Sequence, residues 1–293
     1  MTSMMSRIAG APITWGVDGS PGWGHLMDAD RVLDEMAEVG LRATELGPDG
    51  YLPVDPAELK QKLDHYQLEL VGGFVPAVLH HPARAEGELA YVQRASRTLA
   101  GCGANVLVLG PSSGLDGYDT SIEMSEPEWS AFLENLKYVI GIAADEGLTV
   151  ALHQHWGMAI EQSHHMDRLI AQSEVEFCLD TGHLSLGGVD PVAIAQAAEG
   201  RVAHVHLKDV DREMAEQVRS GVLPFRQAVI DGIFKPLGYG DVDIAGFVRT
   251  LEDAGFDGWY VLEQDKVLEA DPLPGKGPIE DAKRNFEYLG SIV

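Results

Sequence analysis

The alternation of short apolar runs with longer segments of helical period constrains this chain more than any other feature. Runs of strand type fall at 6–15, 41–46, 68–75, 104–109, 148–153, 174–180, 201–207 and 258–263. Helical periodicity predicts helices near 28–39, 55–66, 85–101, 125–146, 161–172, 190–199, 213–230, 241–254 and 276–291. Local chemistry marks the boundaries. Asp55-Pro56 and Asp190-Pro191 place an N-cap acid before a proline at the first helical position, Glu126-Pro127 does so less cleanly, and Gly40, Gly147 and Gly255 supply stops. Eight β-then-α units predict an α/β protein, a closed (β/α)8 barrel forming a single domain over 1–293 with a C-terminal helix near 276–291. A doubly wound sheet would more often stop at five or six strands and carry a glycine-rich phosphate turn, and neither G-x-G-x-x-G nor G-x-x-x-x-G-K-[ST] occurs.

Charge narrows the partners. With 21 Lys and Arg against 46 Asp and Glu, the formal net charge of −25 repels polyanions at long range, so nucleic acid is not an expected partner. Hydrophobic residues make up 45% of the chain, enough for a large core. Cys102 and Cys178 are too few and too isolated for a disulfide scaffold and are expected as free thiols. The N-terminal MTSMMSRIAGAPITWG lacks a signal-peptide apolar core, and no window reaches the roughly 18 apolar residues of a membrane span, which makes no membrane and a cytoplasmic location the expectation.

In such a barrel the reactive groups end the strands, so the residue types there are informative. The fifth run ends in His153 and His155, two apart and therefore on one face. The sixth is apolar up to Asp180 and is followed by His183; the seventh puts His204, His206 and Lys208 on one face; the eighth ends in Glu263 and Asp265. Histidines and carboxylates ending four consecutive strands form a mixed nitrogen and oxygen set suited to one divalent metal ion. Other histidines have plainer readings. His164-His165 open a helix and are expected as surface or capping residues, His25 and His65 as solvated, and His80-His81 follow the third run, where one of them would reach the barrel mouth.

The segments LDTGHL, HVHLKDV, GIFKPLGYGDVD and GWYVLEQD, with APITWG and ATELGPDGYLP near the N-terminus, resemble the xylose-isomerase-like sugar isomerase and epimerase barrels over about residues 8 to 266. Within them the chain is most similar to the inosose dehydratase group. The resemblance implies a single divalent cation, Mn2+ or Co2+ first and Zn2+, Mg2+ or Fe2+ otherwise, held by one residue from each of strands five to eight. Carried over, these are Asp180, His206 and Glu263, with His153 where most relatives have a carboxylate. Whether His153 or His155 takes the fifth-strand position is open. The histidine-rich stretch favours a dehydratase over an epimerase, which would want two carboxylates. By the same resemblance Trp15 and Glu45 look like substrate wall, against a plainer reading as core and ion-pair acid. Copies of family barrels often associate, which makes a homo-oligomer an expectation without a subunit number.

A dehydratase acting on a cyclic polyol ketone such as 2-keto-myo-inositol must remove the proton α to the ketone and expel the β-hydroxyl as water, which needs an electrophile, a base and an acid. His155 and His183 are the expected acid and base, Lys208 a hydroxyl or oxyanion donor or else a salt-bridge partner of Asp180 or Asp209. Glu161 is either a substrate-facing acid or a first-turn helix acid, and Asp241 is a plausible N-cap. The competing functions are a metal-dependent ketose isomerase or epimerase, a C-glycoside-cleaving lyase, a nuclease of the same barrel type, which the charge disfavours, and a non-catalytic polyol binder.

Overall fold

The computed structural model describes residues 3–292. Its main sheet has nine parallel segments: β1 (Ile8–Gly10), β2 (Ala43–Glu45), β3 (Glu69–Gly72), β4 (Phe74–Ala77), β5 (Val106–Pro111), β6 (Thr149–His153), β7 (Glu176–Asp180), β8 (Val202–Leu207) and β11 (Tyr260–Leu262). Their order is β3-β2-β1-β11-β8-β7-β6-β5-β4. The two ends of that order, β3 and β4, are successive pieces of one stave, so the sheet closes and the barrel has its eight staves. The stave breaks at Gly73, where a Cβ would stand 3.0 Å from both Leu46 and Leu99. Hydrogen bonds from Leu46 N to Gly72 O (3.0 Å) and from Val108 N to Gly73 O (3.1 Å) carry the ladder across the break.

Every predicted run contains a strand, but the first is much shorter than 6–15. Pro12 starts a 3-10 turn over Pro12–Trp15, which ends the strand at Gly10 and turns the following side chains out of register. The helix expected over 213–230 is two, Arg212–Arg219 and Phe225–Ile230, separated at Pro224. A short helix, Thr181–Leu186, follows β7 directly, and a two-stranded antiparallel ribbon of β9 (Asp209–Val210) and β10 (Phe234–Lys235) lies beside the barrel. The caps form as expected at Asp55, whose Oδ1 accepts from Ala57 N and Glu58 N, and at Asp190. The expected cap at Asp241 does not form. Asp243 caps the helix Ile244–Asp253, and Asp241 accepts the backbone N–H of Arg212.

Large side chains such as Leu33, Met36, Phe132, Leu169 and Phe247 fill the layer between helices and sheet. Small ones fill the barrel interior, among them Ala9, Ala43, Val71 and Val261 in one cluster and Val108, Ala151 and Cys178 in another. The polar residues stand one step above this layer: Ala43 precedes Glu45 by two positions, Ala151 His153, Cys178 Asp180 and Val261 Glu263. On β8 the lower place is taken by His204, a buried polar residue where the other staves are apolar.

Candidate active site

Four side chains from four staves converge at the C-terminal end of the barrel. His153 Nε2 lies 3.1 Å from His206 Nδ1 and 3.5 Å from Asp180 Oδ2; His206 Nδ1 lies 3.5 Å from Asp180 Oδ2 and 3.1 Å from Glu263 Oε2. All four residues are buried. Ligands bonded to one cation at about 2.1 Å stand about 3.0 Å apart at right angles and about 3.4 Å apart in a tetrahedron, which these four distances match; Asp180, His206 and Glu263 form the mutually close set, with ligand atoms within 4.8 Å of one another, and His153 joins it through His206 and Asp180. The hydrogen-bond pattern sharpens the fit. His206 Nε2 donates to Glu45 Oε1 at 3.0 Å; burial opposes its charge, but Cys178, Glu263 and Glu45 nearby outweigh burial and raise its pKa well above the usual histidine range, so its Nδ1 faces a second imidazole nitrogen and two carboxylate oxygens as a proton donor. A divalent ion taking the place of that proton would meet the same nitrogen and oxygen atoms. The residues present therefore fit a divalent metal ion of the nitrogen and oxygen class.

Lys208 already supplies one positive charge. Its Nζ is 2.8 Å from Asp180 Oδ2, 2.5 Å from Glu263 Oε2 and 3.3 Å from Asp265 Oδ1. Burial opposes its charge, but the three carboxylates outweigh burial and hold its pKa well above the usual lysine range. Burial likewise opposes ionisation of Asp180 and Glu263, and Lys208 and the imidazoles outweigh it, so both pKa values lie below the ordinary carboxylate range. Of the two salt-bridge partners expected for Lys208, Asp180 is the one it has. Asp209 instead accepts the backbone N–H groups of Gly238, Gly240 and Val242 and so shapes the GYGDV turn.

His155 lies beside the cluster. Its Nδ1 is 2.6 Å from the Trp156 carbonyl, which only accepts, so Nδ1 carries the proton and Nε2 a free lone pair. Burial, helped by His153 and Lys208, pushes its pKa down to about 3, so the ring is neutral. Its faces are covered by Tyr118 (ring centroids 5.3 Å) and by His183 (3.7 Å). Above the cluster opens a cavity of about 840 Å³ lined by His153, His155, His206, Lys208, Glu263 and Asp265, with Phe74, Trp23 and Tyr118 as its aromatic wall. Gly110 makes room for that wall: a Cβ there would sit 2.3 Å from the Phe74 ring.

Not all expected residues meet this cavity. Trp15 is fully buried and its Nε1 donates to Glu35 Oε2 at 2.8 Å, so the 3-10 turn has carried it into the core and away from the substrate wall. Glu45 does line the cavity, but its Oε1 accepts from both His204 Nε2 (2.8 Å) and His206 Nε2. Burial opposes the charge of Glu45; the two imidazoles outweigh it and hold its pKa well below normal. It is a partner of His206 before it is a wall. Glu161 is buried outside the cavity lining, beneath the loop after β6, accepting the Gly157 N–H at 3.3 Å, and burial raises its pKa. His183 is fully buried behind His155, with Nδ1 accepting the Trp156 N–H at 3.4 Å. His165 accepts the N–H groups of Glu161 and Gln162 and so caps its helix; His80 is buried away from the cavity lining and leaves no histidine of the third stave at the mouth. The cavity residues Tyr118 and Asp18 were beyond sequence reasoning, since both sit in loops without period. Asp265 had a signal, its place two residues after Glu263, and burial with Glu263 and Asp180 nearby pushes its pKa up to about 7 against the pull of Lys208.

Fold and site together define a (β/α)8 barrel with a divalent-metal donor set at the C-terminal ends of its staves. A sequence profile of the xylose isomerase-like TIM barrel matches residues 33–290. The chain belongs to that family. It is 32% identical to the inosose dehydratase of Geobacillus kaustophilus (strain HTA426), over 98% of this chain and 94% of the relative, and 29% identical to the inosose dehydratase of Lacticaseibacillus casei, over 99% and 98%. The solved structure of IOLI protein with a binding zinc atom has the same fold, with a TM-score of 0.71, 14% identity and 98% of both chains covered. Among the described residues no helix is long and apolar enough to cross a membrane.

Proposed function

We propose that the protein is a metal-dependent dehydratase, a hydro-lyase acting on a cyclic polyol ketone such as 2-keto-myo-inositol. The observation that carries this reading is the convergence of His153 Nε2, Asp180 Oδ2, His206 Nδ1 and Glu263 Oε2 beside the free Nε2 of His155. The full-length similarity to inosose dehydratases supports it. In this reading His153, Asp180, His206 and Glu263 hold one divalent ion, Mn2+ or Co2+ before Zn2+, Mg2+ or Fe2+. When bound, the ion supplies a Lewis acid that acidifies the carbon next to the ketone.

The chain's own groups supply the rest. His155 Nε2 is the base for the α proton, its tautomer fixed by the Trp156 carbonyl. Lys208 Nζ donates to a substrate oxygen at the edge of the carboxylate cluster. His183 stacks behind His155 and positions its ring; it takes no proton from substrate, being walled off from the cavity. Glu45 orients His206 and presents its second oxygen to the substrate. An epimerase working with two carboxylates lacks the second one here, because β6 ends in a histidine. We further infer a cytoplasmic location, a small-molecule partner and association of copies of the chain.

The test is incubation of metal-loaded protein with 2-keto-myo-inositol in deuterium oxide, followed by mass spectrometry. The expected result is a product lighter by one water, with solvent deuterium taken up at the former β carbon when the enol left by elimination ketonises. A product that keeps all its oxygens and gains one deuterium at the α carbon would assign an epimerase, and neither water loss nor deuterium uptake would overturn the reading.

A further inference from the structure

The cavity is one-sided in charge at its rim as well as at its floor. Asp18 in the loop after β1, Asp49 after β2, and Asp116 and Asp119 after β5 all line it. The lysine and arginine side chains on the lining are Lys208 and Arg226. Lys208 is taken up by Asp180, Glu263 and Asp265, and Arg226 turns Nε and Nη2 to the Trp23 carbonyl. The four rim carboxylates are thus without a paired cation among the described residues. Deeper in, Asp265 is 6% exposed, lines the same cavity and accepts no hydrogen bond among the described residues; its Oδ1 is enclosed, with Lys208 Nζ at 3.3 Å outside hydrogen-bonding geometry. The charge of Lys208 lies beside Asp265 but donates it no hydrogen bond; a buried carboxylate short of donors is costly, and the remedy is a donor that arrives with the ligand. A polyol hydroxyl would serve Asp265. An ammonium would serve it with up to three N–H groups and would also answer the rim, whose potential is focused by the low-dielectric walls of the cleft.

We propose that the site selects among polyols by charge, preferring one that carries a protonated amino group, with Asp265 accepting the ammonium's hydrogen bonds, and refusing phosphorylated polyols. The inference rests on the polyol reading of the site.

The experiment is calorimetric titration of the metal-loaded full chain, at low and high salt, with three probes on one ring: myo-inositol, its mono-amino analogue and its monophosphate. The amino analogue is expected to bind about tenfold more tightly than myo-inositol and the monophosphate about tenfold more weakly, with both ratios shrinking at high salt. In D265N the amine-to-neutral ratio falls toward one. A preference that arose from coordination of the amine by the metal would survive that substitution and overturn the assignment. Should D265N not fold, the double variant D49N/D116N, altered only at exposed positions, must lower the amine-to-neutral ratio and its salt dependence. Equal binding of the three probes, or ratios unmoved in the folded variants, would refute the proposal. A protein that ranks the probes as stated but releases no water from 2-keto-myo-inositol keeps this inference and loses the dehydratase reading. One that dehydrates without ranking them does the reverse.

Discussion

Replacing Lys208 by methionine keeps most of the stem and removes the ammonium from among three buried carboxylates, which lie 2.5, 2.8 and 3.3 Å from it. Removing one partner of a buried ion pair costs about 3–5 kcal/mol, because the remaining charge stays uncompensated. At roughly 1.5–2 °C per kcal/mol for a chain of 293 residues, the melting temperature of chelated K208M should fall by about 5–10 °C. Urea and thermal unfolding of chelated wild type and variant at neutral pH measure this directly. Two further directions follow from the same charges. Without the ammonium, Asp180 and Glu263 lose one of the cations that held their pKa values low, so their folded pKa values rise and their ionisation favours folding less. The deficit is then widest at neutral pH and narrows as the pH falls through the variant's folded carboxylate pKa values. Saturating Mn2+, binding the native state alone, should narrow it as well. A chelated K208M within about 0.5 kcal/mol of wild type, or a deficit that metal widens, would refute the reasoning, since surface-like changes fall in that range.

Trp15→Phe removes the indole N–H from Glu35 and should cost about 1–3 kcal/mol in unfolding free energy with an unchanged KM; a raised KM would return Trp15 to the substrate wall. Glu45→Gln removes the charge that orients His206 and should weaken divalent-ion binding by about 10–100-fold in a calorimetric titration, and an unchanged affinity would leave Glu45 a wall residue only. Gly110→Ala puts a Cβ 2.3 Å from the Phe74 ring, so it should destabilise the fold by about 1–3 kcal/mol and lower kcat/KM through the displaced aromatic wall. Full activity in G110A would mean that Phe74 does not shape the site.

Period-two patterning is the reason so much of the site was legible. On β6 and β7 the polar residue that ends the strand shares a face with a small interior residue two positions below it, as does Glu263 just past β11, and a sequence displays that register without any knowledge of tertiary structure. The Asp-Pro helix starts at Asp55 and Asp190 were legible for the same reason, because the cap is a contact within three residues. Trp15 was misjudged because a proline-initiated 3-10 turn breaks the alternation just where a continued strand would have put it in the wall. The Asp241 cap was displaced by two residues to Asp243, since Asp241 is claimed by Arg212 N from a distant segment. Tyr118, Asp18 and Phe74 owe their places to loop paths and to the stave break at Gly73. No local period encodes either. His183 lies beside the cluster but outside the cavity lining, because the helix Thr181–Leu186 turns it behind His155.

The shared oxygen of Glu45 joins β2 to β8, two staves that are not neighbours, with β1 and β11 standing between them in the sheet. It acts as a crossbeam through the lumen, so the bore of the barrel at this level is set by a polar tie instead of by interlocking aliphatic side chains. One end of the beam is the stave whose loop carries Asp49 at the cavity rim, and the other is the stave that carries His206. Replacing Glu45 alone by leucine strands two imidazole N–H groups, while replacing either histidine alone leaves a buried acid short of a donor. Exchange of this trio for an apolar layer must therefore pass through variants less stable than either end point, and the three positions are expected to change together or stay.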